Sequence, residues 1–307
     1  MRQAGIALIT AVVVVAIATV MAARIGTDAA LDLRRTAGIS ARASAWQVGL
    51  GAEAWAAEIL AEDRRSTTVD DTSENWAQPV LGLPLDGGTL EGGMEDLQGR
   101  FNLNSLLSAD GAPDELSIEH FRGLLVRLDL DPAWAGRLVD WLDADTVDSF
   151  PDGAEDGLYL GQLPPYRAAN GPITTTSELL ALPGFTMEEY LRLRPHVSAL
   201  PPGTRLNVCT ASAVVLAAVL EGSTDFGDQE ALARNREQGC FPTLEDVRVT
   251  LGEESFERVS SRLAETSNWF RLVSVVTIGT SQLSLYSLLY RNQAGGVTTV
   301  LRSLGTD

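Results

Sequence analysis

The sequence predicts an α+β protein: a long N-terminal transmembrane and amphipathic helix packs on a small antiparallel sheet, and a large helical region is inserted before the last strands. Three observations predict it. Residues 6–23 (IALITAVVVVAIATVMAA) carry no charge, and the helical pattern runs on without proline to Asp63. Residues 267–307 contain three segments rich in β-branched and aromatic residues, divided by short polar turns. Between these ends, over residues 105–265, the signals are helical.

The apolar run comes first. Its eighteen residues, interrupted only by Thr10 and Thr19, just reach the length that crosses a bilayer's hydrocarbon core. A secretory signal peptide is the competing reading. Against it, the leader (Met1-Arg2-Gln3-Ala4-Gly5) is very short, and no small-x-small cleavage site follows the run. A break between Gly5 and Ile6 instead leaves the run on the mature chain as an anchor. Beyond it, Ile39, Trp46, Leu50, Ala54, Ala57 and Ala61 fall on one helical stripe and are the expected packing face. Gly26, Gly38, Gly49 and Gly51 each cost about 1 kcal/mol against Ala, so packing must hold this helix. Read as one piece over residues 6–63 it is roughly 85 Å long.

Composition narrows the rest. All 23 basic residues are Arg, against 41 acidic ones, for a net charge of −18. That balance opposes general nucleic-acid binding, which rests on neutralising phosphates, and suits divalent cations. Two cysteines, Cys209 and Cys240, lie in the part the anchor places outside the cytoplasm. There a pair reads as a disulfide, worth roughly 3–4 kcal/mol by loop entropy. Two buried free thiols are the alternative, and the spacing suits neither a metal site nor a redox pair.

In chain order, residues 64–78 are polar and read as a loop. Residues 80–85 are too short and Pro-interrupted to assign, and residues 90–103 read as a strand or hairpin. Helices follow from Ser117 to Leu128, from Ala133 (behind Pro132) to Leu142, and over residues 178–182, 187–193, 210–220, 229–237, 244–251 and 255–265. Two phrases, ELLALPGF from Glu178 and LNVCTA from Leu206, resemble helix-hairpin-helix or SAM-like modules. Such hairpins often grip DNA backbones. Here Glu188 and Glu189 follow the first one, with Arg192 and Arg194 the only nearby cations, so a compact module without DNA is the reading. Residues 269–278, 282–291 and 297–304 then alternate as three strands of a meander, one face of which can pack on the N-terminal helix.

The chemically richest stretch is residues 140–167 (DWLDADTVDSFPDGAEDGLYLGQLPPYR), with Asp140, Asp143, Asp145, Asp148, Asp152, Glu155 and Asp156. Such carboxylates repel one another unless solvated, protonated or bridged. Hard oxygen donors at short, irregular spacing in a Gly-containing loop suit Ca²⁺; a solvated acidic loop is the alternative. No EF-hand spacing fits. Nor is there a nucleophile elbow, a phosphate-binding Gly loop or a zinc motif. His120 and His196 are isolated, and no enzyme is read here.

The short leader ending in Gly, the apolar run behind it and the long amphipathic extension resemble a type IV pilin-like protein cut by a prepilin peptidase. Pilin-like proteins usually carry Glu at the fifth mature position, where this chain has Thr10. With that departure, the phrase DLQGRFNLN from Asp96, the acidic signature (DWLDAD, GAED, Tyr159, PPYR, Asn170), both helical modules and the terminal meander, the chain resembles the K-type minor pseudopilins of type II secretion systems.

The resemblance implies residues 1–5 as leader, 6–63 as helix, 64–104 and 267–307 as pilin head, and 105–205 and 206–266 as helical modules. It implies calcium held by Asp140, Asp143, Asp145, Glu155 and Asp156. It implies a place in the bacterial inner membrane with the head in the periplasm, as a tip subunit that helps start the pseudopilus and works with two smaller minor pseudopilins and the major pseudopilin. A type IV pilus or DNA-uptake minor pilin is the alternative.

Overall fold

A computed structural model describes residues 3–220 and 226–305; Met1 and Arg2 of the leader lie outside them. Helix α1 (Gln3–Ser66) runs unbroken for 64 residues, about 96 Å at 1.5 Å per residue. It contains the Gly5–Ile6 junction and extends past the expected end at Asp63. Residues 6–40 are exposed on every side, and their apolar part reaches a mean hydropathy of 2.8. Apolar surface left open over that length is explained by a bilayer or a filament core rather than by this chain's own fold.

Packing begins at Ala45. The buried seam is Ala45, Gly49, Ala52, Glu53, Ala56 and Leu60, which corrects the expected stripe: Ile39 is 72% exposed and Ala54 is also exposed. The true seam is rotated by about one residue because small residues, not the largest ones, let the helix approach the sheet. A Cβ on Gly49 would stand 3.2 Å from Leu285 Cδ2. Trp46 and Leu50 flank the seam, half-buried. Within it lies a carboxylate. Glu53 accepts from Ser287 Oγ at 2.8 Å, Thr299 Oγ1 at 2.7 Å, and Arg302 Nε and Nη2 at 2.8 and 2.7 Å. Arg302, Thr299 and Ser287 hold it below the usual carboxylate range against the opposing effect of burial, so helix and sheet are joined at a fixed register.

The sheet has five antiparallel strands: β1 (Val80–Leu85), β2 (Gly88–Asp96) and three late strands. The first of these, unassigned from sequence, proves to be its edge. Two-residue strands follow in the helical region: β3 (Phe101–Asn102) beside β4 (Val197–Ser198), and β5 (Leu206–Asn207) beside β6 (Leu263–Ala264), each pair parallel. The late strands are β7 (Trp269–Ile278), β8 (Ser281–Arg291) and β9 (Val297–Leu304), giving the order β1-β2-β7-β8-β9. Period-two alternation sends Phe270, Leu272, Val276, Leu283, Leu285 and Leu289 to the buried face against α1. Strand β2 pairs β7 from Gly88↔Ile278 to Asp96↔Phe270. Residues 97–268 therefore leave and rejoin the sheet at one end of a single strand pair.

That inserted stretch holds α2 (Glu115–Arg127), α3 (Trp134–Leu142), α4 (Asp156–Tyr159), α5 (Met187–Leu193), α6 (Ala213–Val219), α7 (Gln229–Arg236), α8 (Leu244–Leu251) and α9 (Glu253–Ser260). Helix α2 starts before Ser117 because Asp114 caps it, accepting from the Ser117 amide at 2.9 Å. Helix α9 stops before the expected Glu265, since Leu263 and Ala264 join a strand pair. One apolar cluster runs from Phe101 through α2, α3 and α5 to α6, α8 and α9, so the two helical stretches share a core. Cys209 and Cys240 are joined as a disulfide within the second stretch.

Head and insertion meet at a buried polar junction. Arg291, 1% exposed, donates to Asp63 Oδ2 (2.8 Å), Leu60 O (3.1 Å), Ser267 O (2.8 Å) and Asp70 Oδ1. Asp70 Oδ2 accepts the Ser267 amide at 2.7 Å. The Ser267 hydroxyl, the Thr210 hydroxyl and the Asn207 amide all donate to Asp96 Oδ2, at 2.6, 2.6 and 3.0 Å. Replacing Arg291 by Met keeps most of the stem but leaves Asp70 buried without its cation. A loss of about 3–5 kcal/mol in denaturant unfolding of the detergent-solubilised protein is expected; a loss within 0.5 kcal/mol would contradict this role.

Candidate metal centre

The acidic stretch is built on the end of α3. This helix is apolar on nearly every face, burying Trp134, Leu138, Val139, Trp141 and Leu142. Asp140 lies in its last turn and Asp143 caps it. Carboxylates there face the negative end of the helix dipole, an unfavourable place for anions. The chain then loops through 144–155 and returns Glu155 to the same spot. Gly153 makes the return possible, for a Cβ on it would collide with Asp140 Oδ2 and the Ser149 amide. Behind the loop Trp141, Tyr159 and Tyr166 form an aromatic wall, with centroids 5.1 to 6.5 Å apart.

Oxygens of Asp143, Asp145 and Glu155 lie within 4.8 Å of one another. Asp143 and Glu155 are buried, 7% and 4% exposed, whereas Asp145 is open to solvent. Asp140, fully buried, is beside them: its Oδ2 accepts the Ser149 amide at 3.0 Å, and its Oδ1 has no partner. Asp143 Oδ1 and both Glu155 oxygens are also without a partner. Among the described residues no basic side chain lies within 4.0 Å of any of these four carboxylates. Burial, then repulsion from Asp140 and Asp143, pushes Glu155 from 4.5 up to about 7. Burial raises Asp143 as well, with Asp145 and Asp140 adding to it.

Of the five expected ligands the fold therefore brings Asp143, Asp145 and Glu155 together, with Asp140 adjoining. Asp156 is turned away: its Oδ1 accepts the Ala168 amide at 3.2 Å, and its Oδ2 faces Arg167 Nε at 3.7 Å. It is the first residue of α4, and its carboxylate is taken up by the segment 167–168 instead. Asn170 was not among the expected ligands. Its Nδ2 donates to Asp145 O at 2.9 Å, and its Oδ1 is buried without a partner. Its left-handed backbone, φ 46°, is one that Asn tolerates, but nothing in the linear spacing marks it. The donor set is all oxygen, anionic and irregular, which fits a hard cation such as Ca²⁺ and not a soft one.

An exposed apolar anchor continuous with a helix that packs on an antiparallel sheet defines a pilin-like membrane subunit. A family model described as type II secretion system (T2SS), protein K matches residues 99–202. The type II secretion system protein K of Pseudomonas aeruginosa is 36% identical, over 99% of this chain and 93% of its own length. That of Aeromonas hydrophila is 34% identical, over 99% and 98%. The crystal structure of the GspK-GspI-GspJ complex from the enterotoxigenic Escherichia coli type 2 secretion system contains a chain matching with a TM-score of 0.79 at 25% identity, over 89% of this chain and 100% of that one. The chain belongs to the type II secretion system protein K family. It is a minor pseudopilin, anchored in the inner membrane by one helix with its head in the periplasm. The DNA-uptake alternative is not favoured.

The Glu155 shift has a signed consequence for the metal-free protein. A raised folded pKa contributes stability that is present below about 4.5 and lost as pH rises through about 7. In chelator, Glu155→Gln is expected to melt above the parent at pH 8 and level with it at pH 4. Equal melting at pH 8 would show that the cluster carries no net repulsion.

Proposed function

We propose that the protein caps the periplasmic pseudopilus and helps start its assembly, acting with two smaller minor pseudopilins and the major pseudopilin. Thr10 carries the reading. Where related subunits offer a carboxylate to a neighbour's terminal amine, the Thr10 hydroxyl turns back to its own helix, donating to Ile6 O at 3.1 Å and Ala7 O at 3.0 Å. Residues 6–23 contain no acid that could take its place, and an ionised amine left unpaired in an apolar core is costly. Such a subunit sits where no neighbour's amine needs it. The likeness to GspK in its complex with GspI and GspJ supports the choice of partners. The role is mechanical, a cap that pushes folded proteins toward the outer-membrane secretin, with no catalytic step of its own.

Asp143, Asp145 and Glu155 would hold Ca²⁺, assisted by Asp140. The ion would supply the positive charge that the four carboxylates lack and would fix the loop to the end of α3.

Three results test this reading. Tagged protein is expected at one end of the pseudopilus in low copy; label along the shaft would sink the cap. Mass spectrometry of membrane-purified protein should find Ile6 as its first residue after prepilin peptidase cleavage; a start beyond Ala23 would remove the anchor altogether. Ca²⁺ added to chelator-treated protein should raise Tm, by the equivalent of about 2.7 kcal/mol at a hundredfold excess over Kd, and Mg²⁺ should do less. Asp143→Ala and Glu155→Ala should lose most of that response while Asp156→Ala keeps it. If the first two keep the full shift, calcium is bound elsewhere or not at all.

A further inference from the structure

A cavity of about 260 Å³ lies where the crossover out of the sheet, the start of α2, the linker 200–206 and Arg262 meet. Its chemistry is opposite to that of the chain as a whole. Among the described residues three guanidiniums line it, from Arg100, Arg205 and Arg262, and Asp114 is the only lining carboxylate.

The charges can be followed one by one. Arg262 is balanced by Asp114, Nη2 to Oδ2 at 3.0 Å, and its Nη1 donates to Ser117 Oγ at 2.9 Å. Arg100 shares the Glu95 carboxylate with Arg271, each at 2.7 Å. Arg205 is exposed and has no carboxylate within 4.0 Å among the described residues. Of the three lining guanidiniums, Arg205 is the one left without a carboxylate. Two donors are also unused at this site. Arg262 Nε has no partner, and neither has Nε2 of His120, whose side chain is 5% exposed and lines the cavity. Burial, with Arg262 close by, keeps the His120 ring far below its usual range, at about 4. It is therefore neutral at pH 7 and able to donate from Nε2 without adding charge. Phe101, Leu107, Leu200 and Val219 supply apolar wall.

We propose that this cavity binds a monocarboxylate with a short apolar body, its carboxylate received by Arg205, Arg262 Nε and His120 Nε2. The unpaired Arg205 suits a monoanion, and the Asp114 carboxylate in the same lining repels a phosphate dianion more strongly. The apolar wall suits an aliphatic body. Two sources carry this chemistry: a free short-chain acid, and the C-terminus of a peptide ending in an aliphatic residue.

The chain has two histidines, so His196→Gln in the full chain leaves His120 as the one ring signal in a ¹³C-histidine-labelled sample in non-ionic detergent. Hexanoate is expected to move that signal saturably, and hexanamide to bind at least about tenfold more weakly, the difference a charge-assisted hydrogen bond makes. Arg205→Ala should weaken hexanoate by a similar factor while leaving the ligand-free signal in place. Acetyl-Ala-Leu with a free carboxylate binding more tightly than hexanoate assigns the site to chain termini; the reverse assigns it to free acids. A His120 signal unmoved by both carboxylates in the millimolar range overturns the proposal. So does hexanamide binding as tightly as hexanoate, or inorganic phosphate binding more tightly than either.

Discussion

The structure depends on one buried cation. The guanidinium of Arg291 is almost wholly removed from water; its Nε has no partner, and its Nη1 and Nη2 find acceptors in different regions of the chain. Asp63 and the Leu60 carbonyl come from the end of α1, Asp70 from the loop behind it, and the Ser267 carbonyl from the chain re-entering the sheet. Ser267 then passes the connection to Asp96, Asn207 and Thr210, at the exit from the sheet and the start of the second helical stretch. Each bond removed from a buried network of this kind leaves another polar group unsatisfied. Stem, sheet and helical region are thereby fixed at one mutual angle, although their connection through the chain consists of two strand ends.

That rigidity explains how a structural subunit of this family can act at a distance from its anchor. The exposed apolar helix belongs to the membrane and filament, the sheet clamps the helix through Glu53 and a seam of Ala and Gly, and residues 97–268 stand beside the head. Without the junction, a push delivered to the stem would be absorbed at the crossover rather than passed on. In the acidic loop the electrostatics are unfavourable as they stand: anions gather at the negative end of α3, with oxygens that no described residue satisfies.

Much of this was legible in the sequence, where local signals and the fold agree. The anchor showed as an uncharged apolar run, and β7 to β9 as period-two alternation broken by Gly-containing turns. The α1 seam was misplaced because periodicity weights large residues, whereas a helix lying close on a sheet buries its small ones. Arg291 and Glu53 gave no sign, since one more Arg or Glu in a charged chain is indistinguishable from a surface residue until its tertiary partners are known. The acidic cluster was visible as composition, but not its membership. Asp156 follows Glu155 directly, yet it opens α4 and turns to the Ala168 amide, while Asn170, far along the chain, comes back beside Asp145.

The central claim is that the polar junction makes head and helical region one cooperative unit. Differential scanning calorimetry of the detergent-solubilised full chain tests it most directly. The account predicts a single transition for the periplasmic part, with calorimetric and van't Hoff enthalpies in agreement. Two separated transitions, one for the sheet with α1 and one for the helical region, would contradict it.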